Sequence, residues 1–150
     1  MASVFQVARY ILNKVGGMTT MKLQKLVYYC QAWSLAWDGV PLFNEDFQAW
    51  ANGPVCPELF ATHRGIFWLE ANYYDNYEPY PFSAAQVETL DAVLESYADK
   101  EPRWLSELTH KERPWRETRQ GVKPGEPCNL VITKELMQEY YEGLADIEEE

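Results

Sequence analysis

The side chains best suited to nucleophilic or metal chemistry are three cysteines and two histidines. They are Cys30, Cys56, Cys128, His63 and His110. A structural zinc site needs closely paired ligands such as C-x-x-C, and no two of these cysteines have that spacing. The two histidines lie far apart in sequence, so a Cys–His catalytic pair would depend on tertiary contacts alone. The sequence therefore predicts no catalytic residue, no metal site and no cofactor.

Other signatures of enzymes and nucleotide-binding proteins are missing from the sequence as well. We find no P-loop, no dinucleotide-binding glycine pattern and no nucleophile elbow. The segment Lys111–Lys123 is locally basic and contains only two glutamates. It is either a solvated helix face or a contact for a phosphate or an acidic partner. A phosphate-binding protein, a nucleotide-binding protein or an enzyme is thus the least favoured functional class.

The chain is acidic, with a formal net charge of −10 over 150 residues, most of it in the second half. A general nucleic-acid binder needs a basic face, so direct DNA binding is not expected. The first 17 residues predict an amphipathic helix rather than a signal peptide, and no apolar stretch approaches the roughly 20 residues of a membrane span. We expect one cytoplasmic domain over residues 1–150, with a frayed acidic tail at 144–150.

The element that must position any site is an unusually apolar helix, predicted over Thr20–Trp37. Its apolar residues recur at steps of three and four, and aromatic residues widen that face until only a narrow polar strip remains. Such a helix is typical of the centre of a core. Gly39 ends it, a weak strand is predicted over Glu45–Trp50, and a turn at 52–54 precedes a helix over Pro57–Arg64.

Capping signals divide the rest of the chain into further helices. Ser3 and Ser83 each precede a Gln by three residues and predict capping boxes, and Thr109 with Glu112 predicts a third. We expect a mainly α fold, a single compact domain of six or seven helices around the central apolar helix, with a minor β element. The remaining predicted elements are helices 4–16, 83–98, 102–108, 109–119 and 134–143 and a strand at 129–132.

Four motifs occur in order along the first three quarters of the chain. They are KLQKLVYY at 22–29, PLFNEDFQAW at 41–50, NGPVCPELF at 52–60 and ELTHKERPW at 107–115. Together they resemble the Panacea family of antitoxins, also described as SocA-like or phage-associated proteins. The resemblance spans Met18 to Trp115, with a weaker tail to Tyr141. Cys56 departs slightly from the pattern, and we expect no room in residues 1–150 for the helix-turn-helix segment that some relatives carry.

The resemblance implies an antitoxin of a bacterial or prophage toxin–antitoxin module, which is not an enzyme and neutralises a protein toxin by stoichiometric binding. The alternative is a proteolytic adaptor that delivers the bound toxin to an ATP-dependent protease. Which toxin is bound cannot be read from the sequence. The acidity favours a toxin with a basic surface, such as one that acts on RNA or the ribosome, but it equally suits solubility alone.

The family motifs contain two groups of residues with different expected roles. The first group should form the core: Leu23, Leu26, Tyr28, Phe43, Trp50, Gly53, Pro54, Val55, Thr109 and Trp115. The second group should border the toxin-binding groove: Lys22, Lys25, Tyr29, Glu45, Asp46 and His110. Lys22, Lys25 and Tyr29 recur at steps of three and four, so they are predicted to form one polar face of the central helix.

Overall fold

The computed structural model describes residues 1–149, with side chains through Glu148. Helices contain 56% of the chain, which confirms the predicted mainly α fold with a minor β element. In chain order the elements are α1 (Val4–Val15), β1 (Met18–Thr19), α2 (Thr20–Trp33), a π-helical turn (Ser34–Asp38), β2 (Phe47–Trp50), β3 (Gly53–Val55), α3 (Pro57–His63), β4 (Trp68–Leu69), α4 (Ala84–Tyr97), α5 (Pro102–Lys111), α6 (Arg113–Thr118), β5 (Val131–Ile132) and α7 (Lys134–Glu149).

Helix α2 is the centre of the core, as predicted. Every residue from Leu23 to Trp33 is buried, and α1, α4, α5, α7 and β3 all pack against the helix. Thr19 caps it by accepting a hydrogen bond from the Lys22 backbone N–H at 3.2 Å. The α-helix is shorter than predicted because its last turn widens into the π-helical turn, which Gly39 ends with a φ of 73°.

Two small antiparallel sheets flank this helix. Strand β2 lies between β3 and β5, so the chain after residue 128 returns to the hairpin made by residues 47–55. Strands β2 and β5 lie within the predicted segments 45–50 and 129–132, whereas β3 begins inside the turn predicted at 52–54. The pair formed by β1 and β4 was not predicted, because two residues per strand leave no alternation to detect. This pair holds residues 68–69 beside residues 18–19, which directly precede α2.

Helix ends follow the sequence signals except in two places. Both predicted capping boxes at Ser3 and Ser83 are present. The third is wrong: the Thr109 hydroxyl donates to the Ser106 carbonyl at 2.7 Å, and α5 continues through it to Lys111. Helix α7 also continues past Gly143 to Glu149, so the predicted frayed tail is helical as far as it is described, and Glu150 lies outside the described residues.

The core contains the aromatic residues that the motifs supplied. Tyr28, Phe43 and Phe47 are at most 1% exposed, and Tyr28 contacts Phe47 edge-to-face at 5.2 Å between ring centroids. Such edge contacts add to the stabilisation that burial provides. Within the described residues, no helix is both long enough and apolar enough to cross a membrane.

Candidate functional site

A cavity of about 790 Å³ opens beside α2. Its walls come from α2, the β2–β3 hairpin, α3 and the loop that precedes β5. A cavity of this size with apolar walls and a few polar groups has the usual character of a binding site. The residues that line it are Thr20, Met21, Gln24, Lys25, Gln48, Trp50, Ala51, Asn52, Val55, Phe60, His63, Gly125, Pro127, Cys128 and Asn129.

Lys25 reaches this cavity through the interior of the protein and is only 1% exposed. Its side chain passes directly over Gly53, where a Cβ atom would lie 2.5 Å from Lys25 Cε and 3.0 Å from Thr109 Oγ1. Gly53 also has a φ of 122°, which L-residues with side chains rarely adopt. Glycine is therefore required here, and three family motifs meet at one point: Lys25, Gly53 and Thr109.

The ammonium group of Lys25 has no counter-charge. Among the described residues, no Asp or Glu side chain lines the cavity and none lies within ion-pair distance of Nζ. Burial therefore acts unopposed and lowers the pKa of Lys25 from 10.5 to about 7. At neutral pH this amine is divided between its charged and neutral forms.

Two histidines flank the lysine, and both favour the neutral form. Gln24 Oε1 accepts from the Cys56 N–H at 2.9 Å, which directs Gln24 Nε2 toward His63 Nε2 at 3.0 Å. His63 Nε2 therefore accepts a hydrogen bond and carries no proton. Burial and the charge of Lys25 lower the pKa of His63, and the same two causes, together with Arg119, lower the pKa of His110.

The hairpin wall of the cavity is fixed by residues of the fourth motif and the helix after it. Trp115 Nε1 donates to the Trp50 carbonyl at 2.8 Å, and the His110 ring stacks on Trp115 at 3.9 Å between centroids. Arg119 is 4% exposed and donates to the carbonyls of Ala49 at 2.9 Å and Glu126 at 2.7 Å. Arg119 thus ties the loop after α6 to strand β2. Within the basic segment Lys111–Lys123, Arg119 therefore has a structural role and does not belong to a solvated helix face.

A second buried polar cluster lies behind the cavity. Glu112 is 6% exposed and accepts hydrogen bonds from the Tyr29 hydroxyl at 2.7 Å and the Tyr141 hydroxyl at 2.8 Å. Burial raises the pKa of Glu112, and these two hydrogen bonds oppose that rise. Because Glu112 joins α5 to α6, the cluster holds the fourth motif against α2 and α7.

The predicted polar face of α2 is buried at Lys25 and Tyr29 and not exposed to solvent. Tyr29 is fully buried against Glu112 and cannot touch a partner in this conformation, and Lys25 reaches only the cavity. The predicted acidic pair lies elsewhere: Glu45 accepts from the Val4 N–H at 3.3 Å, and Asp46 pairs with Lys134 at 2.6 Å. Of the six predicted binding residues, Lys25 alone lines the cavity. The two not yet mentioned also lie outside it: Lys22 is half-buried, and His110 stacks on Trp115.

The structure places most of the predicted core group inside the protein. Its members are buried except for the two tryptophans Trp50 and Trp115, which are half-buried where they meet at the hairpin. Sequence reasoning missed the roles of Gln24 and Arg119, whose polar groups bind backbone inside the protein. The available signal was the apolar circumference of α2, since a polar residue on a surrounded helix needs an internal partner.

The cysteines do not form a reactive site. Burial raises the pKa of Cys30 well above its usual range and that of Cys56 to about 12, so neither thiol is ionised at neutral pH. Cys128 is half-buried in the cavity wall. In the part of the chain that the structure describes, no three His, Cys, Asp or Glu side chains are grouped to hold a metal ion.

An exposed apolar surface lies next to the Thr20–Met21 end of the cavity, and we call it the apolar rim: Met21 and residues 66–68. Phe67 is 78% exposed, and Trp68 and Met21 are 50% and 40% exposed. Residues 66–68 are held beside the cavity because Thr20 donates to the carbonyls of Phe67 at 2.9 Å and Ile66 at 3.1 Å. Exposed aromatic and apolar residues beside a cavity are typical of protein-binding surfaces.

Comparison with known proteins gives one match. A family model described as "Antitoxin SocA-like, Panacea domain" matches residues 23–116. This range contains the four motifs apart from Lys22, and it includes α2 from Leu23 onward, the hairpin, α3, the rim segment 66–68 and α5. No curated protein and no solved structure matches the chain.

Proposed function

The chain belongs to the SocA-like, Panacea-domain antitoxin family, and from this membership we propose that it neutralises a cognate protein toxin by direct stoichiometric binding. Antitoxins of a toxin–antitoxin pair act on a partner, so the decisive feature is a surface that fits one. A toxin bound in this way loses its activity because its surface is covered, and no covalent bond is made or broken.

The toxin-binding surface we propose is the cavity beside α2 together with the apolar rim. The observation that carries this proposal is the exposure of Phe67 and Trp68 at the edge of a cavity built by the family motifs. Aromatic anchors at the centre of an interface usually contribute most of the binding energy. Lys25 and the cavity walls then provide a recess into which a toxin side chain inserts.

The net charge supports one further property of the toxin. A formal charge of −10 attracts a partner with a basic surface over the distances at which proteins first meet. Toxins that act on RNA or the ribosome carry such surfaces. This long-range attraction is separate from the local contacts at the cavity. Among the described residues, Lys25 is the only Lys, Arg, Asp or Glu that lines the cavity.

Phe67→Ala tests the proposed surface in cells that also express the toxic product of the adjacent reading frame. Loss of a central aromatic anchor should weaken binding by at least about 2 kcal/mol, or roughly 30-fold in Kd. Neutralisation should fail while thermal unfolding stays nearly unchanged, since Phe67 is 78% exposed. The matched control is Trp104→Ala, which removes an aromatic residue that is 44% exposed on α5 and does not line the cavity.

Alkylation of Cys128 gives an independent test of the same surface. Cys128 lines the cavity, whereas Cys30 and Cys56 are buried, so iodoacetamide should modify Cys128 first. Complex formation should slow this modification several-fold, measured by mass spectrometry. A toxin complex in which Cys128 reacts at the free rate would place the interface elsewhere.

Faster loss of the toxin in cells that contain the chain, with an ATP-dependent protease present, would instead support the proteolytic adaptor.

A further inference from the structure

Among the buried polar side chains that line the cavity, only the amine of Lys25 has no hydrogen-bond partner within the described residues. Gln24 uses its amide oxygen and nitrogen on the Cys56 backbone and on His63, and Gln48 Oε1 accepts from Trp50 Nε1 at 2.9 Å. Thr20 Oγ1 donates to Ile66. Lys25, in contrast, is only 1% exposed as a residue, and it still lines the cavity. It is the buried donor that remains available to an occupant.

The surroundings of Lys25 favour an occupant with a single negative charge. No carboxylate lines the cavity among the described residues, and the titratable neighbours His63 on α3 and His110 on α5 both favour the neutral form. An anion beside Nζ would restore the charged state of an amine whose pKa burial has lowered to about 7. A phosphate monoester carries a charge of about −1.5 to −2 at pH 7, so a single buried amine neutralises a carboxylate more completely than a phosphate.

The walls next to the amine are apolar and aromatic. Trp50 and Phe60 contact each other at 4.9 Å between centroids, and both face the cavity with Met21 and Val55. Met21 also belongs to the exposed apolar rim, and Thr20, which lines the cavity, binds the backbone of the rim residues Ile66 and Phe67. A small acid would fill the recess and leave this rim uncovered, whereas a protein segment would cover both.

We propose that this cavity binds a carboxylate carried on an apolar or aromatic group, and that the toxin supplies it as an acidic side chain or C-terminal carboxylate next to an apolar residue. The inference that the toxin supplies this carboxylate rests on the proposed function. The preference of the cavity for such a carboxylate is independent of that function, because it follows from the unpartnered amine of Lys25 and the apolar walls.

The chemistry is tested with 3-phenylpropionate and its neutral analogue 3-phenylpropionamide on the full chain. NMR titration should show saturable binding of the acid, with shifts of the Lys25 side-chain resonances and a rise in the pKa of Lys25 by a unit or more. The amide should bind at least tenfold more weakly. Equal binding of both compounds, or binding of neither, would overturn the proposal without requiring any variant to fold.

Lys25→Met and Lys22→Met separate the recess from the rest of α2. Methionine keeps the length of the stem and removes the amine, so Lys25→Met should lose the preference for the acid over the amide. Lys22 lies on the same helix outside the cavity, and Lys22→Met should leave that preference unchanged. Retention of the preference in Lys25→Met would contradict the assignment of Lys25.

The source is tested with the toxin encoded in the adjacent reading frame. The wild-type chain should bind it, Lys25→Met should weaken that binding at least tenfold, and 3-phenylpropionate should compete with the toxin. If the wild type binds the toxin and Lys25→Met binds it equally well, the inference is wrong and the proposed function remains. If the acid binds but does not compete, the toxin is not the source. Absence of any toxin binding refutes the proposed function instead.

Discussion

Lys25→Met should change how the stability of the protein depends on pH. The substitution keeps an unbranched side chain of similar length under Gly53 and removes the buried amine. In the unfolded chain Lys25 has its ordinary pKa of 10.5, whereas burial lowers the pKa to about 7 in the folded state. Between these values the unfolded state binds a proton that the folded state does not.

The sign and size of the effect follow from this difference. The free energy of unfolding increases with pH wherever the unfolded state binds more protons. For a pKa that falls from 10.5 to about 7, the Lys25 contribution raises stability by about 2.6 kcal/mol from pH 6 to pH 9. Lys25→Met lacks this component. Relative to the wild type, the variant should be most stable at pH 6, and its advantage should shrink by about that amount at pH 9.

Urea unfolding at several pH values between 6 and 9, followed by circular dichroism, measures this difference directly. His63 and His110 are present in both proteins, and burial lowers the pKa of each from its ordinary value. Lys22→Met is the matched control and should run parallel to the wild type. Parallel curves for wild type and Lys25→Met would refute the reasoning, because they would mean that Lys25 keeps an ordinary pKa in the folded state.

Three further predictions address the rest of the site. Gly53→Ala should destabilise the fold by about 1–3 kcal/mol in urea unfolding, because its Cβ would lie 2.5 Å from Lys25 Cε; Gly125→Ala, which meets no neighbouring atom, should cost less. Burial raises the pKa of Glu112 above its ordinary value of 4.5, so the wild type should lose stability as the pH rises from there toward the folded pKa. Glu112→Gln should remove this loss, which thermal unfolding between pH 4 and 7 can detect, and identical profiles would contradict it. The rate of association with the toxin should fall several-fold as salt rises from about 0.05 to 0.5 M, and a flat rate in stopped-flow measurements would remove charge steering.

Sequence patterns predicted the elements better than the site. Helix periodicity and the Ser3 and Ser83 capping boxes are local signals, and the structure has these features where the residues indicate them. Thr109 shows the limit of such signals, since its spacing from Glu112 matches a capping box. The Thr109 hydroxyl instead donates within α5, and Glu112 turns toward Tyr29 and Tyr141. Only tertiary packing decides between these partners.

The polar residues of α2 show why the binding surface could not be located from spacing. A polar strip on a helix usually faces water, and the interpretation of Lys25 and Tyr29 relied on that rule. In this protein Gln24 and Gln31 bind the backbone of later segments, with Gln31 reaching both Leu42 and Phe43 at 2.8 Å. The strip is therefore internal. Its partners lie far along the chain, at separations that no local pattern encodes.

The most direct test of the central claim is a titration of purified toxin with the purified chain. The candidate toxin for this test is the product of the adjacent reading frame, and its residual activity is measured against the molar ratio of the two proteins. Stoichiometric binding predicts a linear fall that ends at a fixed ratio near one chain per toxin, with a complex of that composition on gel filtration. Full inhibition at strongly substoichiometric amounts, or inhibition without a complex, would contradict neutralisation by binding.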